Sequence, residues 1–402
     1  MKRIALAALI FLGLALPGLG FAKDIAIGFT ASETGKLNTD FTLQLAGIEL
    51  WRDQVNAAGG VKVGQNKSKV KLVYYDDQSE SNRVQQLYTR LISADKADFL
   101  FSPYSSGLAA TAAIISEQYG KVMVTTGAAE GKTYTLGNKY LFQTYTPANL
   151  YLASAMDAVK AKDPGAKIAL IYENDGFAKA VAAGAKAYAQ KLGLSVVIDE
   201  AYDSSTTDFS PILNKVVTSG ATVLLGGGHF ADGSTLARQL HEQNLHLKMI
   251  SLLVAPDAPK FAELGNAAAG VTVPSQWEAE AGYKPDFGPT VQQFAKDFEK
   301  KVHQTPGYHA AGGYAAGLLL QHAIEQAGSL DTDKVAAALN KLDATIFYGH
   351  VKFATAPEQH GLQMGHSMVL AQWQKNATGQ LVKQIVWPIA ASTVPLQYPI
   401  GK

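Results

Sequence analysis

The chain has 402 residues, long for one domain and comfortable for two. Its 35 basic residues balance 34 acidic ones, and no run of lysine or arginine is present, which excludes a nucleic-acid surface or a polybasic membrane patch. Cysteine is absent, so neither a disulfide nor a thiol-linked lipid is possible, and stability has to come from a large core.

Lys2 and Arg3 precede an apolar stretch from Ile4 to Leu16, followed by Pro17, Gly18 and a small-residue site ending at Ala22. This is the pattern of a cleaved export signal over residues 1–22, with an apolar part too short for a membrane span. Export without a cysteine predicts a mature protein free in the periplasm and not lipidated. From Asp24 the pattern alternates: strand 24–29, helix 43–57 closed by Gly59 and Gly60, strand 69–74 ending in Asp76 and Asp77, helix 82–94, strand 98–102, helix 111–119 and strand 121–125. It then restarts with helix 151–160, strand 167–172, helix 178–192, strand 195–198, helix 211–219, strand 222–225, helix 234–243 and strand 249–252. A helix-rich block over 290–342 and β stretches at 349–353 and 367–374 complete the chain. Short apolar strands separated by helices predict parallel sheets flanked by helices, here an α/β fold with two lobes of one architecture. In such sheets ligands bind at the C-terminal ends of the strands, which puts a cleft between the lobes.

Few segments carry reaction chemistry. Gly127 to Thr133 looks like a phosphate-binding loop, but three residues separate its first glycine from Gly131-Lys132-Thr133 where that loop needs four. His241 and His246 are five apart, about 500° of helix, so they do not share a face as zinc ligands would. The Asp76-Asp77 pair at a strand end reads as a turn cap. Ser105 has no Gly-x-Ser-x-Gly elbow around it, so a hydrolytic nucleophile paired with His229 is not supported. No metal, cofactor or catalytic residue is expected. What remains is a set with ligand-binding character at strand ends: Tyr104, Ser105, Ser106, Gly127, Ala128, Ala129, Phe177, His229 and Phe230, with Trp277 and Tyr308 beside them. Hydroxyls and free N–H groups there fix a polar head, and the rings cover an apolar body.

The ordered segments Thr34-Gly35, Ala46-Gly47-Ile48-Glu49-Leu50, Val55-Asn56-Ala57-Ala58-Gly59-Gly60-Val61, Val73-Tyr74-Tyr75-Asp76-Asp77, Ser105-Ser106, Thr126-Gly127-Ala128, Asp208 to Leu213, Gly227-Gly228 and Tyr308-His309-Ala310-Ala311 resemble the leucine/isoleucine/valine-binding family of periplasmic substrate-binding proteins of ABC importers. The likeness covers nearly all of the mature chain. It implies two Rossmann-like lobes joined by three hinge crossovers, an N-terminal lobe of residues 23–146 plus 278–354 and a C-terminal lobe of 147–277 plus 355–402. It implies closure on a small ligand by hinge bending, no enzymatic activity, a monomer, and partners in a membrane permease and its ATPase subunits. Ser105, beside Ser106, would hold a ligand carboxylate by hydroxyl and N–H, and the Gly127-Ala128-Ala129 segment would offer backbone groups. Phe177, His229 and Tyr308 would supply aromatic walls, and Tyr104 would line the side-chain pocket. The sequence departs from the family where an amine is recognised: Ala129 replaces a threonine, and Thr146-Pro147-Ala148 and Leu252-Leu253-Val254 lack the expected acids. Two ligand classes follow. The first is a branched-chain or other hydrophobic amino acid whose amine is taken by Glu130, Glu173 or Asp257; the second is an aromatic carboxylate stacked on Tyr104, Phe177, His229, Trp277 and Tyr308. An amide or urea-like ligand is a further alternative.

Overall fold

The computed structural model describes residues 23–400, so the export signal lies outside the described residues. Strand β1 (Ile25–Ala31) leads into helix α1 (Asn38–Ala57), the hairpin β2 (Val61–Val63) and β3 (Asn66–Ser68), then β4 (Val70–Asp76), α2 (Ser81–Ser93), β5 (Phe99–Phe101), α3 (Ser106–Gln118), β6 (Met123–Thr125) and β7 (Leu141–Gln143). A five-stranded parallel sheet in the order β4-β1-β5-β6-β7 results. Every residue of β5, β6 and β7 is buried, as strands covered by helices on both faces must be. Helix α2 shows how its neighbours are held: Val84, Tyr88, Leu91 and Ile92 recur at helical spacing and form its buried stripe.

The second half adds α4 (Ala153–Lys162), β8 (Lys167–Glu173), α5 (Gly176–Leu192), β9 (Ser195–Tyr202), α6 (Ser210–Thr218), β10 (Val223–Gly227), α7 (Phe230–Glu242), β11 (Met249–Leu252) and β12 (Thr272–Ser275). Then come α8 (Val291–Val302), α9 (Tyr308–Ala327), α10 (Thr332–Asn340), the hairpin β13 (Asp343–Ile346) and β14 (Gly349–Lys352), and finally β15 (Val369–Lys375) and β16 (Leu381–Trp387). The second sheet has the order β16-β15-β12-β11-β10-β8-β9. It is mixed, because β15 and β16 join its edge antiparallel. Strand β12 escapes a sequence reading because Pro274 interrupts it; its pairing with β11 stops at Thr272, so the missing N–H costs no bond on that side.

The late helices return to the first sheet. Helix α9 lies so close to α1 that a Cβ on Gly313 would sit 2.2 Å from the Gln44 carbonyl, and one on Gly317 2.2 Å from the Trp51 ring. The chain therefore passes between the two sheets three times, through residues 144–152, 276–290 and 353–368. Buried hydrogen bonds staple these passages. Thr146 Oγ1 and His366 Nδ1 are 2.6 Å apart, and His366 Nε2 donates to the Tyr348 carbonyl at 2.8 Å. Gln276 accepts from the Thr146 N–H at 3.0 Å and donates to Tyr151 at 2.7 Å. Among the described residues no helix is long and apolar enough to cross a membrane.

Candidate functional site: a cleft closed by rings and histidines

The C-terminal ends of both sheets face one another across a small enclosed space. It is lined by Tyr104, Ser106, Gly127 and Ala129 from the first sheet's turns, Tyr308 and His309 from the start of α9, Phe177, His229 and Val254 from the second sheet, and Tyr145 and Tyr151 from the first crossover. It measures about 10 Å³, room for a single water molecule. The reason is Tyr104. Its ring lies edge-on between His229 and His309, with centroids at 5.6 Å and 5.3 Å, and its hydroxyl is 3.1 Å from His229 Nδ1. A residue from one lobe thus plugs the cleft and bonds to the other.

Local sequence explains each placement. Ser105 sits at the N-cap of α3 in extended backbone, as a residue between strand and helix does, but its side chain makes no capping bond. Ser106 is the serine that reaches the cavity, and its Oγ accepts from the N–H groups of Ala129 and Glu130 at 3.1 Å and 3.2 Å. That bond folds the 127–130 turn against the start of α3. Gly127 has to be glycine, because a Cβ there would lie 2.5 Å from the Tyr104 ring and 2.6 Å from Gln44 Oε1. Ala128 points its carbonyl away, toward Gln143 Nε2 at 3.1 Å. Trp277 lies elsewhere: it is fully buried among Phe294 and Phe347 and donates its ring N–H to the Phe347 carbonyl at 3.0 Å. Phe230 opens α7 just outside the cavity, its N–H 3.4 Å from Asp40 Oδ2.

His229 is the N-cap of α7, bonded through its backbone N–H to Asp232 at 2.8 Å. Burial works against a charge on its ring, but the Asp175 carboxylate 3.1 Å from Nε2, with Glu173 and Asp40 nearby, overcomes that and holds its pKa up at about 9. The cleft therefore contains an imidazolium at neutral pH. Of the acids expected to take an amine, none lines the cavity, and Asp257 is committed elsewhere. Asp257 is fully buried and accepts from the Tyr308 N–H at 3.2 Å, His309 Nδ1 at 3.3 Å and Lys383 Nζ at 2.7 Å. Burial alone would raise its pKa, but Lys383 and His309 bring it down to about 2. Glu130 lies against Gly176 at the start of α5, and Glu173 accepts from Lys36 at 3.0 Å.

Sequence reasoning left out Tyr145, Tyr151, Val254 and His309, and behind Tyr104 it left out Asp40 and Gln44. The last two are one turn apart on α1, 1% and 0% exposed, and Asp40 Oδ1 and Gln44 Oε1 have no hydrogen-bond partner. Burial raises the Asp40 pKa, opposed by the nearby His309 and His229. Their signal was present: two polar residues on the apolar face of an amphipathic helix.

The profile of the periplasmic binding proteins matches residues 24–379. The chain belongs to that family. The binding protein is 24% identical to a leucine-, isoleucine-, valine-, threonine- and alanine-binding protein of Pseudomonas aeruginosa, over 90% of this chain and 93% of that one. Among solved structures it is similar to a branched-chain amino acid transporter substrate-binding protein from Streptococcus pneumoniae in complex with isoleucine (TM-score 0.75, 21% identity, 91% and 100% covered). It is equally similar to a solute-binding protein of an ABC transporter from Rhodopseudomonas palustris HaA2 in complex with p-hydroxybenzoic acid (TM-score 0.77, 20% identity, 94% and 98% covered). The binding protein thus has the two-lobed fold of ABC-transporter solute-binding proteins, and relatives of that fold hold both classes of carboxylate.

Proposed function

We propose that this solute-binding protein of an ABC transporter captures a small aromatic carboxylate between its lobes and delivers it to a membrane permease, doing no chemistry on it. One observation carries this reading: the residues lining the cleft bring together Tyr104, Tyr145, Tyr151, Phe177, Tyr308 and two imidazoles, and no carboxylate is among them. Once the Tyr104 ring has moved aside, a solute ring would meet edges and faces of Tyr145, Tyr151, Phe177 and Tyr308, and the charged His229 would supply the counter-ion for an acid head. An α-ammonium placed there would lose its water without gaining a carboxylate partner from the lining. Because Tyr104 fills the closed cleft, entry of a solute requires that ring to leave its place between the histidines.

A hydrophobic amino acid is the second reading, favoured by the unpaired Asp40 Oδ1 and Gln44 Oε1 behind Tyr104, which an ammonium could reach once that ring moves. Thermal melts with benzoate, 4-hydroxybenzoate, benzamide, leucine, isoleucine and phenylalanine separate the two. The aromatic acids are expected to raise Tm at millimolar concentration, with benzamide and the amino acids inert. Stabilisation by leucine or isoleucine without any by the aromatic acids would replace the first reading with the second.

A further inference from the structure

We infer that the back of His229, facing away from the cleft, forms a binding site for a transition-metal dication of the zinc type, with Glu173, Asp175 and His229 as ligands. The donor atoms Glu173 Oε2, Asp175 Oδ2 and His229 Nε2 all lie within 4.8 Å of one another. Each ligand has one atom anchored by a different partner and one atom aimed inward. Glu173 Oε1 is held by Lys36 Nζ at 3.0 Å, Asp175 Oδ1 by the Ala178 N–H at 2.7 Å, and His229 Nδ1 by the Tyr104 hydroxyl at 3.1 Å. Outer partners of this kind orient the ligands of built metal sites. Glu173 is only 2% exposed, yet its Oε2 has no hydrogen-bond partner. A buried carboxylate oxygen left unpaired asks for a cation.

The two spacings from His229 suit a tetrahedral ion, whose bonds of about 2.1 Å set its donor atoms about 3.4 Å apart. His229 Nε2 is 3.1 Å from Asp175 Oδ2 and 3.8 Å from Glu173 Oε2, either side of that value. One imidazole nitrogen with two carboxylate oxygens, leaving a fourth position for water, favours zinc, cobalt or nickel over the all-oxygen sites of magnesium and calcium. Charge favours it too. Asp232 stands beside Glu173, both within 2.6 Å of a Cβ placed on Gly228, and Asp40 faces the same histidine, while Lys36 is bonded to one of these acids. The ion takes the place of the proton shared between Nε2 and Asp175, and that proton leaves to solvent. Nδ1 then carries a hydrogen toward the cleft, so an ion behind His229 presets the donor that a solute meets.

The test is a titration of the purified, chelator-stripped protein with zinc chloride alone at pH 7, with cobalt chloride in parallel. One ion per chain is expected, with the intense visible bands of tetrahedral cobalt, and Asp175→Asn and Glu173→Gln each weakening binding at least about tenfold. A His241→Ala/His246→Ala protein, lacking two exposed histidines on and after α7, is expected to bind as before. Absence of one-to-one binding, an unchanged affinity in Asp175→Asn, or loss of binding in the surface-histidine variant would overturn the proposal. Should Glu173→Gln fail to fold by circular dichroism, Asp175→Asn decides alone, since Asp175 is partly exposed. The titration contains no solute, so its outcome is separate from that of the ligand panel.

Discussion

His366 ties the first and third crossovers together, and acid should undo that tie. The ring is fully buried against Tyr348, whose ring stacks on it at 4.9 Å, and both nitrogens are used, one with Thr146 Oγ1 and the other on the Tyr348 carbonyl. Burial disfavours the charged form, and the Tyr348 carbonyl offsets this only in part, so the pKa falls from 6.5 to about 4. A histidine whose pKa is depressed by folding contributes stability that is complete above the unfolded value of about 6.5 and is lost as the pH falls through the folded value of about 4. The shift corresponds to about 3 kcal/mol across that window. The His229 charge and the buried acids Asp40 and Glu173 titrate as well, so the informative quantity is a difference. Urea denaturation of the unsubstituted protein and of His366→Gln, run from pH 7 to pH 4, should show the variant less stable at pH 7 by about 2 kcal/mol, the value of its lost bonds. That gap should close or reverse by pH 4. A gap that stays constant over the whole range would refute the argument, because it would mean His366 does not titrate differently in the folded state.

Three further substitutions probe the cleft and its supports. Tyr104→Phe removes the hydroxyl bonded to a charged imidazole and should lower stability without solute by about 2 kcal/mol in urea melts; no loss would mean that the bond is not made in solution. Gly127→Ala puts a methyl 2.5 Å from the Tyr104 ring and so penalises the plugged cleft; stability without solute should fall by about 1–3 kcal/mol in urea melts, and no loss would mean that the ring does not hold this place in solution. Asp257→Asn leaves Lys383, buried between Asp257 and Glu278, short of a counter-ion. A loss of about 3–5 kcal/mol is expected, and a loss under 1 kcal/mol on the order of surface pairs would show the pair to be solvated.

Much of this molecule could be read from local pattern. The alternation of buried strands with amphipathic helices dictated an α/β fold, since a parallel sheet needs helices on both faces and its strands read as continuous apolar runs such as Phe99–Phe101. Turn glycines and strand-end hydroxyls marked the level of the chain at which a cleft forms, and Tyr104, Ser106, Gly127, Ala129, Phe177, His229 and Tyr308 do meet there. Element starts were harder. Helices α3 and α7 begin at Ser106 and Phe230, several residues ahead of the expected Thr111 and Ser234, because a first helical turn has free N–H groups to satisfy and little apolar face to show.

What no local pattern contained was partnership across the cleft. Trp277 and Tyr308 look alike in sequence, an aromatic near a glycine or proline, yet one packs against Phe347 in the core and the other lines the cavity. Ser105 and Ser106 differ by one residue, and the twist of a helix start decides which hydroxyl meets the 127–130 turn. Asp257 reads as a spare acid until Lys383, 126 residues later, is found bonded to it. Secondary structure follows from interactions within a few residues, which the chain order preserves. Charge pairing, the plugging of the cleft by Tyr104 and the convergence of Glu173, Asp175 and His229 depend on distances between segments far apart in sequence, and only the packing of the two sheets sets those.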